Sequence, residues 1–483
     1  MSSIKKNLSL QTAYRVLSVC MPLITAPYLA RKLGAAQLGV FSFTTSVVAY
    51  FTLAAMLGTL NYGTRTIASV KGDRVRRDEA FSAIFLFQLA MTLAALAAYL
   101  VYLVFFCTSN RTIAWLQGIA LLSCLLDINW LFFGVEDFQI TVTRSMVIKI
   151  LSVVLILLLV RQESDLWKYT LIMLGATFLS NAILFAYLPR YATLRRVSFA
   201  QIRAHIGPNL VLFVPLLAMT VYHTMDKTML GLLSTYEQSG FYYNSDKVVQ
   251  IPLVIINGVG TVMLPRMSAL LAEGRQAEAD RLFMTTMEGI AVAGVALACG
   301  IAAVAKEFVP FFFGAGYDPC ILITIVFTPI LLIKGFSSIA RTQYLIPMKM
   351  EKDFTVSVVG GAVVNLVLNL LLIPRFGALG AAVATVIAEL AACVLQFYSL
   401  RGRALGIGRL LLKTLQYAVI GLLMVGLVRL AALAPVGVVW KLTLEVLVGA
   451  GFFALCCTAY WKKTKNPMFD IFCRPVLKKL RPR

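Results

Sequence analysis

Residues 355–373 read TVSVVGGAVVNLVLNLLLI without a charged side chain, and residues 378–400 read ALGAAVATVIAELAACVLQFYSL with one, Glu389. As a helix rising 1.5 Å per residue, each run reaches about the 30 Å of a bilayer's hydrocarbon core. The rest of the chain is built the same way. Of its 483 residues, 60% are hydrophobic and only 14% charged, against about 25% charged in a soluble domain. Too little polar surface remains for a water-soluble globule, so the expected class is an all-α polytopic membrane protein.

Outward from those two runs, apolar stretches between polar breaks place spans near 8–30, 38–60, 80–106, 112–133, 143–160 and 168–188. A second group falls near 209–233, 245–264, 287–313, 320–341, 355–373 and 378–400, and two more near 411–432 and 437–461. The expectation is about fourteen transmembrane helices. The first run follows Lys5 and Lys6 as a signal peptide would. It is long, is interrupted by Arg15, Pro22 and Pro27, and lacks a small-residue cleavage site, so it reads as a retained helix.

The formal net charge of +22 (44 basic minus 22 acidic residues) raises the question of nucleic acid. Its distribution answers it. With the N-terminus inside, about 31 of the 44 basic residues fall on the cytoplasmic breaks and tails, the positive-inside pattern. Concentrations occur at Lys71 to Arg77, Arg190 to Arg203, Arg401 to Arg409 and the tail beyond Lys462. Both termini are expected in the cytoplasm, with the basic charge drawn to anionic lipid rather than to nucleic acid. The nine cysteines form no CxxC pair and lie mostly in apolar runs. They indicate no disulfide framework and no metal site, and no cofactor is expected.

Two parts of the chain echo each other. Leu131-Phe132-Phe133-Gly134-Val135-Glu136-Asp137-Phe138 ends the fourth span, and Leu345-Ile346-Pro347 through Glu351-Lys352-Asp353-Phe354 ends the tenth. Leu38-Gly39-Val40-Phe41 follows the first span, and Ser239-Gly240-Phe241-Tyr242 the seventh. Each pair is six spans apart, so the repeats share one orientation, as in transporters with a pseudo-two-fold axis along the membrane normal. The expected division is a six-helix lobe over 1–190, a second over 191–403, and a two-helix tail with a basic end over 404–483.

The same stretches carry a family resemblance. Pro27-Tyr28-Leu29-Ala30-Arg31-Lys32-Leu33-Gly34, Leu38 to Phe43, Asn61-Tyr62-Gly63-Thr64-Arg65, Asp226 to Gly231, Gly240 to Tyr243, Gln343 to Pro347 and Gly377 to Ala382 stand in order along nearly the whole chain. Together they resemble the polysaccharide transporter branch of the multidrug/oligosaccharidyl-lipid/polysaccharide exporter superfamily, which includes O-antigen and capsule-unit flippases. The resemblance implies two lobes around a central cavity in the bacterial cytoplasmic membrane. It also implies outward movement of an undecaprenyl-diphosphate oligosaccharide by alternating access, among membrane lipids, with room for a polysaccharide polymerase as a protein partner. No enzyme activity is expected, and the sequence has no GxxxxGK[ST] phosphate loop.

Ionisable side chains inside apolar runs are costly and therefore informative. Three cations could meet a diphosphate: Arg15 in the first span, Lys227 late in the seventh and Lys334 in the tenth. Their plainer reading is snorkelling to headgroups or local pairing. Three acids are candidates for ion coupling or gating: Glu389 in mid-span, Asp226 beside Lys227, and Asp127 with Asn129 near the inner end of the fourth span. Glu389 has no basic residue within two turns of its own helix; it reads either as a carrier of a coupling proton or a cation, or as a protonated acid hydrogen-bonded to a neighbouring helix. Lys149 reads as an interfacial anchor and His223 as a packing residue. Pro22, Pro27, Pro215 and Gly360-Gly361 mark places where helices can bend. Alternatives from the same superfamily are a cation-coupled multidrug antiporter and a peptidoglycan-precursor flippase. A membrane-embedded glycosyltransferase or polymerase would need an acidic catalytic cluster or a large loop.

Overall fold

The structure, a computed structural model, describes the backbone of residues 2–403 and 405–474; within that range the side chains of 2–16, 19, 214 and 215 are outside the described set. All the described secondary structure is helical: α1 (Ser2–Met56), α2 (Thr59–Ser69), α3 (Arg74–Phe105), α4 (Arg111–Leu125), α5 (Asn129–Gly134), α6 (Phe138–Leu159), α7 (Leu166–Tyr191), α8 (Phe199–Leu233), α9 (Tyr236–Ala272), α10 (Gln276–Phe313), α11 (Pro319–Phe327), α12 (Ile330–Ala340), α13 (Glu351–Ser399), α14 (Ile407–Ala431) and α15 (Val438–Thr464). Short 3₁₀ or π turns lie at Glu163–Asp165, Arg341–Leu345 and Phe469–Cys473.

Among the described residues, eleven helical stretches are long and apolar enough to cross a membrane, or twelve if Phe199–Phe213 and Leu216–Leu233, bent by 49°, form one span. The expectation was fourteen. The difference arises because the turns expected at 31–37 and 374–377 are helical apart from single glycines. Gly34 (φ 73°, ψ 170°) and Gly377 (φ 54°, ψ −130°) adopt left-handed conformations open to a residue without Cβ. They divide stretches of 50 residues (Cys20–Ser69) and 49 residues (Glu351–Ser399). At 1.5 Å per residue each is about 75 Å long, more than two bilayer cores.

The fourth and tenth expected spans are also broken internally. The fourth is split into α4 and α5 at Leu126–Ile128, and the tenth into α11 and α12 at Thr328–Pro329. Pro329 supplies no N–H at its break; the break at Leu126–Ile128 contains neither proline nor glycine.

The chain divides into two compact units, 1–243 and 244–483, with the boundary inside α9. In the first, α1 packs on α3, α4, α6 and α8. The seventh span thus belongs by packing with the preceding six, whereas the repeat groups it with the helices that follow. Asn209 Nδ2 donates to Thr59 Oγ1 at 3.3 Å, and Thr228 Oγ1 to Ser46 Oγ at 2.9 Å. Phe81, Ile84, Trp130, Leu131, Phe132 and Leu184 form a fully enclosed core. At one end of the unit Asp78, 1% exposed, accepts from the backbone N–H and hydroxyl of Thr193 (3.1 and 2.7 Å), tying the segment after α7 to α3.

In the second unit α10 packs against α12, α14 and α15. The join to the last two helices is polar. Lys413 Nζ lies 2.7 Å from Glu288 Oε2, while Tyr417 Oη and Asn466 Nδ2 donate to Glu288 Oε1 at 2.8 and 2.5 Å. Trp461 Nε1 in turn donates to the Tyr417 hydroxyl at 2.9 Å. Both units leave large apolar side chains outward, among them Val211 (72%), Val262 (75%), Leu433 (77%), Trp440 (73%) and Leu455 (72%). Such a surface suits hydrocarbon rather than water, and the molecule is a multi-pass membrane protein.

Candidate functional site

Lys334 stands just beyond the break that opens α12, and Glu389 in the half of α13 that follows Gly377. The structure brings these two together: Lys334 Nζ is 2.8 Å from Glu389 Oε1, with side-chain exposures of 18% and 8%. One turn along α12 and two along α13, the Ser337 hydroxyl donates to Gln396 Oε1 at 2.9 Å. Glu389 has no cation within two turns on its own helix, and α12 supplies one. Ala388 and Ala392 flank it, and a Cβ at Gly361 would come within 3.0 Å of the Ala392 methyl, so the two halves of α13 approach closely here. A pair held this dry is sensitive to loss of either partner, at a cost of about 3–5 kcal/mol. Nearby in sequence, Asn365 Nδ2 and both side-chain polar atoms of Gln343 are buried without a hydrogen-bond partner.

In the first unit the polar centre is the break of the fourth span. Asp127 lies in that break, and its Oδ1 accepts from the backbone N–H and the side-chain amide of Asn129 (3.1 and 2.7 Å). Asn129 Nδ2 also donates to Asn181 Oδ1 at 3.2 Å, and Asn181 Nδ2 to the Ser123 carbonyl at 3.1 Å. Arg144 reaches in from α6, donating to Asn129 Oδ1 at 3.2 Å and to the Ser180 carbonyl. Gln88 occupies the end of α4: its Nε2 donates to the carbonyls of Cys124 (2.7 Å) and Asp127 (2.9 Å), and its Oε1 accepts from Trp130 Nε1 at 2.9 Å. A broken helix in hydrocarbon frees carbonyls that need donors, and Gln88 supplies them.

Asp226 and Lys227 sit late on α8. Tyr242 donates to Asp226 Oδ2 at 2.5 Å, and Lys227 Nζ lies 5.7 Å from the Tyr243 ring centre. Both partners come from the first turns of α9. The structure gives each of the two an aromatic partner across the turn.

The side chain of Arg15 lies outside the described residues. Lys149 donates to the Ser18 hydroxyl of α1 at 2.9 Å. His223 has the Tyr222 ring 5.6 Å away. Sequence reasoning passed over Gln88 and Arg144, although an arginine five residues before Lys149 in an apolar run was a readable signal; it also passed over Glu288 and Glu445.

Comparison with known proteins adds a lineage. A family model described as "Polysaccharide biosynthesis protein" matches residues 4–271. The "Putative O-antigen transporter" of Escherichia coli strain K12 is 21% identical over 391 residues, covering 80% of this chain and 94% of its own length. A solved structure of lipid II flippase MurJ, inward closed, superposes with a TM-score of 0.76 at 13% identity, over 95% of this chain and 99% of that one. An inward-facing multidrug resistance MATE transporter of the MOP superfamily gives 0.57 at 14% identity, over 81% and 98%. At such identities the structural likeness is one of fold, and it is shared with transporters and a flippase rather than with enzymes.

Proposed function

Because the chain belongs to the polysaccharide biosynthesis protein family, we propose that it is the transport component of such a pathway, a flippase for undecaprenyl-diphosphate oligosaccharides in the bacterial cytoplasmic membrane. The observation that carries this reading is the family match across 4–271 in a chain built from bilayer-length helices. The substrate, a surface-polysaccharide unit of the O-antigen or capsule kind, moves from the inner to the outer leaflet by alternating access. The proposal keeps fourteen crossings, lobes over 1–190 and 191–403, a tail over 404–483, and both ends in the cytoplasm.

The charges give it a mechanism. Lys334, Lys227 and Arg15 are the proposed cations for the diphosphate, with charge-assisted contacts stronger than neutral ones. At rest Lys334 is engaged by Glu389 at 2.8 Å. A diphosphate that claims Lys334 leaves the carboxylate uncompensated in a dry setting, where taking up a proton restores neutrality. Binding of the anion and protonation of Glu389 are thereby coupled, and departure of the substrate lets the pair re-form. Asp226, late on α8, and Asp127, in the break of the fourth span, act as polar gates.

Depletion of the protein in a producing bacterium tests the reading. Completed lipid-linked oligosaccharide should accumulate on the cytoplasmic leaflet, and its sugar composition would name the substrate. Normal arrival of the units at the outer leaflet overturns the proposal. Efflux of cationic drugs, or build-up of peptidoglycan precursor, would then decide between the other transporter readings.

A further inference from the structure

Between α10, α14 and α15 of the second unit lies a cavity of about 400 Å³, within the range of small-molecule sites. Ile301, Val304, Val428 and Phe453 give it apolar walls. One side chain breaks the pattern. Glu445 lines the cavity, is 0% exposed, and has no hydrogen-bond partner for either carboxylate oxygen.

The charged groups that act on Glu445 are Glu307 on α10, Arg429 on α14 and Lys441 on its own helix. Arg429 is committed elsewhere, donating to Glu307 Oε2 at 2.6 Å and to the Ala303 carbonyl at 2.8 Å. Lys441, one turn before Glu445, makes no ion pair with it among the described residues. Among the described residues the other buried acids are satisfied: Glu288 by Lys413 and Tyr417, Glu389 by Lys334, Asp226 by Tyr242, Asp78 by Thr193 and Asp165 by Lys168. A buried carboxyl facing an apolar space lacks a donor that the protein does not provide. The space itself comes from small residues, and a Cβ at Gly300 would meet nothing within 4 Å.

We infer that this cavity binds an amphiphile with an apolar body and one protonated amine, the ammonium pairing with Glu445 and the body lying against Ile301, Val304 and Phe453. The ammonium can come from a free lipophilic amine or from an aminophospholipid of the membrane. The site is separate from Lys334 and Glu389, and its occupancy does not depend on which substrate the protein moves.

The full-length protein, purified in detergent, is titrated with octylamine, octanol and octanoate, which share a chain and differ in head group. Octylamine should bind about tenfold or more tightly than octanol, as expected for a desolvated charge pair, and octanoate should not bind. Glu445→Gln should reduce octylamine to the level of octanol while leaving octanol unchanged. Gly300→Leu, whose Cβ meets nothing within 4 Å, should fill the space and remove both. Native mass spectrometry separates the sources: phosphatidylethanolamine retained by the wild type and lost in both variants assigns the lipid, and a lipid-free cavity that binds octylamine assigns a free amine. Equal binding of octylamine and octanol, octylamine binding untouched by Glu445→Gln, or no octylamine binding overturns the inference.

Discussion

Lys334 and Glu389 are 55 positions apart in the chain and 2.8 Å apart in the structure. Truncating either alone leaves the other charge buried, so Lys334→Gln should cost about 3–5 kcal/mol of stability. The double variant Lys334→Gln, Glu389→Gln should recover most of that loss in a thermal unfolding series; additive losses would show that the two do not interact. Transport should be lost in all three, because the cation proposed to meet the diphosphate or its proton-taking partner is gone. Each residue was legible in the sequence as a charge within an apolar run. Their pairing was not, because a hydropathy pattern records what surrounds a residue along its own helix and nothing of the helix beside it. The same blindness hid the aromatic partners of Asp226 and Lys227, which come from across the α8–α9 turn.

At the scale of elements, the breaks matter most. Gln88 spans the one at Leu126–Ile128, holding two carbonyls and the Trp130 indole. Gln88→Leu should destabilise the first unit by about 1–3 kcal/mol for each buried group left without a partner, seen as a lower melting temperature; a wild-type melting curve would mean water replaces the amide. The junction between α1 and α9 makes a sharper prediction. A Cβ at Gly39 would stand 1.6 Å from the Tyr236 carbonyl oxygen, and one at Gly240 would stand 1.9 Å from that of Ala35. Alanine at either position should sharply reduce folded protein in the membrane, measured by fluorescence-detected gel filtration, and normal yields would refute the packing. These glycines were noticed in the sequence as an echo between two halves; that they press against each other's helices could not be read there. The break at Leu126–Ile128 escaped notice because Leu125-Leu126-Asp127-Ile128 carries neither proline nor glycine. The turns at 31–37 and 374–377 were drawn too wide, since good helix formers surround the single glycines that bend them.

For the molecule as a whole, the proposed orientation has a direct check. Protease added outside intact spheroplasts should leave tags at both ends uncut and should cut them once the membrane is opened. Cleavage of one tag in intact cells would mean an odd number of crossings, against fourteen. The class of the protein was legible at this scale because hydropathy and charge asymmetry are sums over hundreds of residues, to which a misplaced turn makes little difference. The grouping of helices into units was less so. Repeats record ancestry, whereas units record contact, and α8 follows the first in one scheme and the second in the other.

The polar knot around Glu288 also bears on how the chain is made. Lys413 lies 125 residues and Asn466 178 residues downstream of Glu288, so α10 enters the bilayer well before either partner has left the ribosome. Until α14 arrives with Lys413 and Tyr417 the carboxyl has none of these counterparts, and until Asn466 follows α15 the knot stays incomplete and the second unit cannot close. A nascent chain in that interval is a natural client for insertion factors and for membrane proteases. Completion of synthesis, rather than insertion of any one helix, would then be the event that releases the molecule from quality control.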